Sequence, residues 1–371
     1  MTKFFFRSLS FGFLSLALSC SSDDGTSPSP PATPMTSAIP SAMDSDMPPG
    51  SVMNSATANG RPTTGSEQTI APLLPEPPEP AAPQEMGPLQ PALPVVENAD
   101  HAQLLSSPVP ELAANKRLVY DTWRTLIEAH DTQAAERFLA PGYIQHNPNA
   151  DTGRAGVLAF FASQGPALPV QERVQRPLVA IVAERDYVAL VQVDAQTQPR
   201  PYTTTWFDLF RIEEGVIAEH WDHGRLAADG TPRGYVPPAA TADQEPAVNS
   251  SDPQLATNKR LVYDMWRTVL DAQQVEEAPR FLAPGYVQHN PQANTGLQGF
   301  LAFFRQFAQP RPVQPTIASF IQMVAEGDLV VLARVTSYNG AGGTPYTTTW
   351  FDMFRVGGGL LVEHWDTATL Q

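Results

Sequence analysis

The hydrophobic residues of the segment 112–127 recur at intervals of three and four positions, which is the spacing of an amphipathic α-helix. This apolar stripe consists of Leu112, Leu118, Val119, Trp123, Leu126 and Ile127. The same spacing returns further along the chain at Leu261, Val262, Trp266, Val269 and Leu270. The pattern therefore predicts two long helices, each with one face packed against a hydrophobic core.

Shorter elements follow each long helix. The pattern predicts two further helices in each half, near residues 132–138, 153–162, 275–281 and 296–307. Pro-Gly at 141–142 and Asn-Pro at 147–148 enforce turns on both sides of residues 143–146. We therefore expect a constrained loop or a short extended segment there.

Alternating apolar and polar residues, rich in β-branched and aromatic side chains, come after the third helix and predict strands. In the first half these strands cover residues 178–183, 187–193, 202–212 and 216–222. Glu213-Glu-Gly215 supplies a hairpin turn between the last two. Helices followed by an antiparallel meander predict an α+β fold, in which a curved sheet wraps the long helix and leaves a cone-shaped cavity.

The two halves of this pattern also share their polar residues. The segments at 115–124, 138–148, 201–211 and 219–222 return at 258–267, 281–291, 345–355 and 363–366. The offset is 143 residues for the first segments and 144 for the last. A unit of this length can bury its own core, whereas a short solenoid repeat cannot. The sequence therefore predicts a duplicated domain, at residues 111–225 and 255–371, with a linker at 226–254.

Residues 1–19 have the pattern of an export signal, with basic residues ahead of an apolar stretch. Cys20, the only cysteine, follows directly. This arrangement resembles the lipobox of bacterial lipoproteins, which implies lipidation of Cys20; ordinary cleavage near Ala17 or Ser19 is the alternative. The resemblance also implies the bacterial cell envelope as the location, and Ser21 favours outer-membrane sorting.

The segment 20–110 differs from the two repeats in composition. Pro, Ser, Ala, Thr and Gly dominate it, and aromatic residues are scarce. Such a chain has too little apolar surface to offset its conformational entropy. We expect a disordered, partly polyproline-extended tether that holds the folded domains clear of a membrane.

The charge balance excludes one class of partner. The formal net charge is −15 and the pI is near 4.8. Nucleic-acid binding requires a basic surface, and no basic stripe is visible.

Two His and two Asp in each half are a possible metal-ligand set, but neither half has the close His-x-His or His-x-x-x-His spacing. We therefore predict no metal and no cofactor.

Three motifs carry a family resemblance. Tyr-Ile-Gln-His-Asn-Pro at 143–148, Trp-x-Asp-x-Phe-Arg at 206–211 and Glu-His-Trp-Asp at 219–222 occur in both copies with small changes. Together they resemble the SnoaL-like branch of the nuclear transport factor 2-like superfamily. The resemblance implies cone-shaped domains that pack as a dimer, here an intramolecular pseudo-dimer in a monomeric chain. It also implies an apolar pocket for a small hydrophobic molecule, used for proton transfer or for binding alone.

Strand alternation selects the polar residues that face the pocket. Trp206, Asp208 and Phe210 share one face of their strand, and His220 and Asp222 share one face of theirs. A carboxylate between two aromatic residues must be solvated, paired or protonated. The resemblance to ketosteroid isomerases implies that Asp208 and its counterpart Asp352 point into the pocket as neutral acids.

These patterns give two sets of candidate residues. The candidate catalytic residues are His146, Asp208, His220, Asp222, His289, Asp352, His364 and Asp366. The candidate ligand-binding residues are Tyr143, Trp206, Trp221, Tyr286, Trp350 and Trp365. Histidine suits general acid–base work at neutral pH. The alternative interpretation is structural: His146 caps a turn, and residues 219–222 form hydrogen bonds at a strand end.

Three functions remain open at this stage. The first is an isomerase, cyclase or lyase that transfers protons in a hydrophobic carbonyl compound. The second is a non-catalytic binding module of the envelope, and the third is a structural or partner-binding protein. SnoaL-like relatives often carry a further His near positions 190–191 and 332–333, where this chain has aliphatic residues. The pockets are therefore expected to be strongly apolar.

Overall fold

The computed structural model describes residues 88–227 and 230–370 of the 371-residue chain. The predicted export signal, Cys20 and most of the predicted tether lie outside these residues. Within the described part, no helix combines the length and the hydrophobicity that a membrane crossing requires.

The first repeat follows the predicted order of helices and then strands. Its elements are β1 (Gln90–Pro91), α1 (His101–Leu105), α2 (Pro110–Thr122), a π-helical turn (Trp123–Glu128), a 3-10 turn (Thr132–Arg137), β2 (Leu139–Gln145), α3 (Arg154–Ser163), β3 (Leu178–Glu184), β4 (Tyr187–Gln196), β5 (Tyr202–Glu213) and β6 (Val216–Asp222). The predicted α+β fold is confirmed.

The second repeat has the same helices and sheet strands, but its short strand comes just before the third helix rather than at the start, and it has one more 3-10 turn. Its elements are α4 (Glu245–Val248), α5 (Pro253–Met265), a π-helical turn (Trp266–Asp271), a 3-10 turn (Val275–Arg280), β7 (Leu282–Gln288), β8 (Asn294–Thr295), α6 (Leu297–Phe304), β9 (Phe320–Glu326), β10 (Leu329–Asn339), a 3-10 turn (Ala341–Gly343), β11 (Pro345–Gly357) and β12 (Leu360–Asp366).

Each repeat contains one five-stranded sheet, in the order β2-β6-β5-β4-β3 and β7-β12-β11-β10-β9. The strands β3 to β6 form the predicted antiparallel meander. The segment at 143–146, expected as a loop or extended piece, belongs largely to β2, which pairs with β6 in parallel. Local periodicity could not show this pairing, because it joins residues that are 75 or more positions apart in the sequence, such as Gln145 and His220.

The two faces of each sheet have different partners. The concave face packs against the long helix; in the first repeat Val119 and Tyr120 of α2 lie in one core with Leu190 and Phe210. The convex faces pack against each other through a second core. At its centre the rings of Phe207 and Phe351 stack with their centroids 5.5 Å apart.

The contacts between the two convex faces are reciprocal, as in a twofold interface. The Thr204 hydroxyl donates to the Asp366 carbonyl oxygen at 3.4 Å, and the Thr348 hydroxyl donates to the Asp222 carbonyl oxygen at 3.2 Å. Two lysine–glutamate pairs repeat the pattern at the sheet edges, Lys259 with Glu184 at 2.7 Å and Lys116 with Glu326 at 2.7 Å.

Residues 88–110 are ordered, which corrects the prediction that the whole segment 20–110 is disordered. β1 pairs with β8 of the second repeat, and the Leu93 amide donates to the Gln288 carbonyl oxygen at 2.9 Å. Val95 is then buried between the two sheets, and α1 packs on the first repeat. The disorder prediction failed here because a few apolar residues, although too few for a core of their own, are buried by the neighbouring domains.

The segment 231–252 contacts both repeats, as residues 88–110 do. The Val236 amide donates to the Gln145 carbonyl oxygen of the first repeat at 2.9 Å, and the Thr241 amide donates to the Phe320 carbonyl oxygen of the second at 2.7 Å. We call residues 88–100 and 231–243 the arms. Each arm leads into one domain and lies along the β2 or β7 edge of the other, so the two repeats exchange arms.

Candidate functional site

A cavity of about 280 Å³ lies inside the first repeat, and we call it cavity 1. Its walls come from α2, α3, β2, β5 and β6. Most of the lining is apolar, with Trp123, Leu126, Phe160 and Phe161 among the larger side chains. The polar residues of the lining are Thr122, Tyr143, Gln145, Asn147, Asn149, Gln164, Arg176, Asp208, His220, Asp222 and Arg225.

Asp208 and His220 form a hydrogen-bonded pair at the inner end of cavity 1. His220 Nε2 lies 3.0 Å from Asp208 Oδ1, and His220 Nδ1 lies 2.9 Å from Gln145 Oε1. The Asn147 backbone amide also donates to that Oε1 atom, at 3.0 Å. Because this fixes Oε1 as an acceptor, Nδ1 of His220 carries the proton and Nε2 faces Asp208 with a free electron pair.

Burial sets the charge state of the pair. It raises the pKa of Asp208 from 3.8 to about 8, against the opposing charge of Arg176. Burial also lowers the pKa of His220 from 6.5 to about 4. At neutral pH Asp208 is therefore protonated and donates from Oδ1 to the bare Nε2 of a neutral His220.

Asp208 Oδ2 makes no well-aligned hydrogen bond to a described residue, although it is buried in the cavity wall. The Trp206 side chain lies close enough to Asp208 to lower its pKa slightly against the effect of burial, but its N–H is not directed at Oδ2. Because the proton of Asp208 is directed to His220, this second oxygen is an acceptor. A buried acceptor without a partner carries a desolvation penalty of about 1–3 kcal/mol. A ligand that donates to Oδ2 would remove that penalty.

Asp222 and Tyr143 complete the polar end of cavity 1. The Asp222 carboxyl accepts from Asn147 Nδ2 at 2.7 Å and from the Gly224 amide at 2.8 Å, and burial raises its pKa. Its Oδ2 lies 3.9 Å from His220 Nε2. Burial also raises the pKa of the Tyr143 phenol, and the hydroxyl accepts from Gln145 Nε2 at 3.4 Å. Tyr143 is therefore a neutral hydrogen-bond donor.

The second repeat contains cavity 2, of about 390 Å³. Its inner end repeats the first: His364 Nε2 lies 3.1 Å from Asp352 Oδ1, and Nδ1 lies 2.8 Å from Gln288 Oε1. Burial raises the pKa of Asp366 to about 6. The outer wall is more aromatic than in cavity 1, because it includes Phe300, Phe303, Phe304 and Phe307.

Arg334 marks the main difference between the two cavities. Its Nη2 donates to Asp352 Oδ2 at 3.5 Å, and its guanidinium lies 3.9 Å from the centroid of the Trp266 ring. The matching oxygen in cavity 1 is the Oδ2 of Asp208, which has no partner in the described chain. Gln192 is the counterpart of Arg334 in the first repeat. Leu190 pairs with Asp208 and Leu332 pairs with Asp352 on the neighbouring strand. Gln192 and Arg334 each come two residues after that leucine.

Asp208, His220 and Asp222 also form a potential metal-ligand set, with one ligand atom from each lying within 4.8 Å of the others. The same holds for Asp352, His364 and Asp366. A cation in cavity 1 would have to displace the proton of Asp208 and compete with the two donors that already bind Asp222. The arrangement therefore suits acid–base chemistry better than metal coordination.

Four predicted site residues lie away from the cavities. Trp221 and Trp365 are buried between the two sheets, which corrects the expectation that they line the pockets. The strand alternation that turns His220 and Asp222 inwards turns Trp221 outwards. His146 and His289 are also outside the cavity linings, where they stack on these tryptophans at 4.9 and 5.0 Å.

His146 and His289 contact the arms and two half-buried glutamates. His146 Nδ1 lies 2.6 Å from the Val236 carbonyl oxygen, and its Nε2 lies 2.9 Å from Glu219 Oε1. His289 makes the same two contacts with Leu93 and Glu363. This placement matches the structural alternative considered for His146 more closely than a role inside the pocket.

The structure places the other candidates in the cavity walls. These are Tyr143, Trp206, Asp208, His220, Asp222, Tyr286, Trp350, Asp352, His364 and Asp366. Sequence reasoning missed Gln145, Asn147 and the three arginines Arg176, Arg225 and Arg334. Gln145 and Asn147 could have been found, because both lie in the repeated Gln-His-Asn-Pro motif and alternate with His146.

Solved structures similar to this chain each cover about one repeat. A proposed polyketide cyclase from Acidithiobacillus ferrooxidans is 17% identical with a TM-score of 0.23, over 32% of this chain and 89% of that one. An NTF2-like protein of unknown function from Burkholderia pseudomallei is 14% identical with a TM-score of 0.24, over 30% and 91%. An LEH-like epoxide hydrolase from M. tuberculosis is 18% identical with a TM-score of 0.23, over 30% and 84%.

No curated protein matches the sequence. The family model described as the SnoaL-like domain matches residues 120–220 and 263–364. These two regions make up more than half of the 371 residues and include most of each cavity wall. The chain therefore belongs to the SnoaL-like domain family, with two tandem copies of the domain.

Proposed function

We propose that cavity 1 binds a small apolar carbonyl compound and transfers a proton from the carbon next to the carbonyl. The observation that carries this proposal is the unpartnered Oδ2 of Asp208, which lies in the wall of an apolar cavity and belongs to an acid hydrogen-bonded to a neutral imidazole. Because Asp208 can pass its own proton to His220 while it takes one from the ligand, Asp208 does not have to be ionised before the reaction.

The proposed step moves two protons. The C–H bond next to the carbonyl breaks, and its proton moves to Asp208 Oδ2. At the same time the proton on Oδ1 moves to His220 Nε2, so Asp208 stays neutral and His220 becomes an imidazolium. Asp222, with its Oδ2 at 3.9 Å from Nε2, stabilises that positive charge. The resemblance to ketosteroid isomerases implied instead that Asp208 donates to the ligand.

The electron pair of the broken C–H bond delocalises onto the carbonyl oxygen. Tyr143 is suited to donate to that oxygen, because its hydroxyl is neutral and lies in the cavity wall. Gln145 Nε2 donates to the phenol oxygen at 3.4 Å and so leaves the hydroxyl proton available for the ligand. Return of the proton to another carbon would complete an isomerisation, and return to the same carbon would exchange hydrogen with water.

This proposal is tested by deuterium exchange, which requires no knowledge of the natural substrate. The probe is 2-tetralone in D₂O, and the loss of its α-protons is followed by ¹H NMR. Asp208→Asn cannot relay the proton and is expected to slow the protein-catalysed exchange by about 10²–10⁴-fold. The matched control is Asp352→Asn in cavity 2, which should retain most of the rate. Equal loss in both variants, or full activity of Asp208→Asn, would contradict the proposal.

Cavity 2 favours a second function, the binding of a small hydrophobic molecule without catalysis. Arg334 occupies the oxygen of Asp352 that corresponds to the free acceptor in cavity 1. The larger volume and the four phenylalanines offer more apolar surface to a ligand. Titration with the neutral fluorophore N-phenyl-1-naphthylamine tests this function, and the expected result is binding that survives Asp352→Asn.

We also propose that the chain is exported, anchored through Cys20 in the bacterial envelope and monomeric, with its two domains as an intramolecular pseudo-dimer. The sequence of residues 1–20 supports the first two points, and the reciprocal contacts of the two sheets support the third. Radiolabelled palmitate should enter the wild-type protein and not Cys20→Ser. Light scattering should give the mass of a single chain.

A further inference from the structure

Arg225 is held in a fixed orientation in the wall of cavity 1. Its Nε donates to His223 Nε2 at 3.1 Å, and its Nη2 donates to the Tyr338 hydroxyl at 2.9 Å. The guanidinium also lies 4.5 Å from the centroid of the Tyr338 ring. Because Arg225 is exposed while it lines the cavity, it lies at the opening.

The second repeat holds Arg225 in this position. His223 Nδ1 donates to the Thr349 carbonyl oxygen at 2.8 Å, and the His223 ring meets the Trp350 ring edge to face at 5.3 Å. Burial lowers the pKa of His223 to about 3, so the ring is neutral and its Nε2 is a permanent acceptor for Arg225. These contacts leave Nη1 of Arg225 without a hydrogen bond to any described residue.

The two arginines that line cavity 1 have different partners, and the carboxyl groups of the lining, Asp208 and Asp222, lie at its inner end. Two guanidinium groups, those of Arg176 and Arg225, line the cavity. Arg176 pairs with Asp194 at 3.2 Å, whereas Arg225 has no salt bridge within residues 88–227 and 230–370. Asp208, the acid at the inner end, carries no charge at neutral pH because burial raises its pKa to about 8.

Cavity 2 lacks this feature. The residues that correspond to His223 and Arg225 are Thr367 and Thr369, neither of which can carry a charge. The single arginine of its wall, Arg334, is paired with Asp352. The unpaired guanidinium is therefore specific to the first repeat, although the second repeat holds it in place.

We infer that the molecule bound in cavity 1 carries a carboxylate, which Arg225 binds at the opening while the apolar carbonyl portion lies against Asp208. The inference rests on the proposed function for the carbonyl portion and adds the charge class of the ligand. Arginine suits this role, because its permanently charged guanidinium can form charge-assisted hydrogen bonds to a carboxylate through the Nη1 group that the protein leaves free. His223 and Tyr338 position the guanidinium in advance.

The test compares two probes of the same shape, 2-naphthoate and 2-naphthamide, by calorimetric titration of the full-length protein. The wild type should bind the carboxylate more tightly than the amide. Arg225→Gln is expected to weaken binding of the carboxylate about tenfold and to leave binding of the amide unchanged. Arg225→Lys should give an intermediate loss. The matched control is Arg233→Gln, which removes an equal charge from an exposed residue outside the cavity wall.

Each outcome has one meaning. Preference for the carboxylate that disappears in Arg225→Gln and persists in Arg233→Gln supports the inference. Equal losses in both variants show a general charge effect and overturn it. Binding of the amide without any preference for the carboxylate also overturns it, while the cavity and the proposed function stand. Binding of neither probe counts against the cavity itself. Unchanged affinity for the amide shows that the variants are folded.

Discussion

The two repeats place the same Asp–His–Asp set at the inner end of a cavity but surround it differently. In cavity 1 the oxygen Asp208 Oδ2 has no partner among the described residues, whereas the matching oxygen of Asp352 accepts from Arg334. In cavity 1 the guanidinium of Arg225 lies at the opening, whereas its counterpart in the second repeat, Thr369, is not among the residues that line cavity 2. The two repeats therefore share the aspartate–histidine pair but differ in the hydrogen-bonding and charged groups that surround it.

The largest expected difference between the repeats concerns their buried lysines. Lys259 is fully buried and pairs with Glu184, which is also buried, whereas the partner of Lys116 is Glu326, with 22% of its side chain exposed. Lys259→Met leaves the buried carboxylate of Glu184 without its cationic partner and should lower the free energy of unfolding by about 3–5 kcal/mol. Lys116→Met leaves a carboxylate that water can reach and should cost about 1–2 kcal/mol.

Urea unfolding followed by tryptophan fluorescence measures both lysine variants. The double variant Lys259→Met with Glu184→Gln also removes the charge of the unpaired carboxylate and should recover part of the lost free energy of unfolding. Equal destabilisation by Lys259→Met and Lys116→Met would show that the two reciprocal pairs are equivalent despite their different burial.

The second prediction concerns pH. Because the folded-state pKa of Asp208 is raised to about 8, the folded state retains a proton that the unfolded state has lost, and stability falls as pH rises from about 4 to 8. His220, whose pKa is lowered to about 4, has the opposite effect up to pH 6.5. Between pH 6.5 and 8 the Asp208 contribution remains, and it amounts to about 2 kcal/mol.

Urea unfolding at several pH values tests this linkage. The wild type should lose stability over that window, and Asp208→Asn should show a smaller slope, to which Asp222 and Asp366 still contribute because burial raises the pKa of both. A slope in Asp208→Asn as steep as that of the wild type would place the titrating group elsewhere in the molecule.

The third prediction concerns Arg334, whose strand position in the first repeat is held by Gln192. Arg334→Gln frees Asp352 Oδ2 and makes the inner end of cavity 2 resemble that of cavity 1. In an Asp208→Asn background, where cavity 1 is inactive, this change should raise the exchange of 2-tetralone protons about tenfold, or about 1.4 kcal/mol in the barrier.

The control for this gain is Arg280→Gln, which removes an exposed charge outside cavity 2. An unchanged exchange rate in the Arg334→Gln protein would show that the arginine is not what separates the two cavities chemically.

The smallest expected effect concerns the aromatic wall. Phe307 lines cavity 2 but remains 64% exposed, and its counterpart in cavity 1 is Gln164. Phe307→Gln should weaken binding of N-phenyl-1-naphthylamine by about two- to fivefold, or less than about 1 kcal/mol. The exchange Gln164→Phe should strengthen binding by a similar factor, measured by the same fluorescence titration. A change in the same direction for both variants would contradict the comparison.

Local sequence patterns were sufficient to predict which helices and strands form and which strand residues face the cavities. The duplication follows from the repeated segments, and the long helices and the inward direction of Asp208, His220 and Asp222 follow from helical and strand periodicity. The parallel strand β2 did not follow, because its partner β6 is distant in the chain. His146 was misplaced for that reason, since its direction depends on where β2 ends.

The arginines and the buried lysines depend on contacts between the repeats or between distant strands. Arg225 is held by Tyr338, and Lys259 pairs with Glu184, across distances of 113 and 75 residues in the sequence. A lysine on an amphipathic helix is most simply solvated or paired with a nearby acid. Only the packing of one sheet against the other shows that Lys259 is buried.

The exchange of arms means that the unit repeated in the sequence is not the unit assembled in space. In the sequence an arm precedes its own domain, but in space the edge strand of each domain is covered by the arm of the other. A single cut near residue 228 would therefore yield two fragments that each carry the segment the other requires. The duplicated gene encodes two mutually dependent halves, and neither copy can be lost without exposing the His-containing edge of the one that remains.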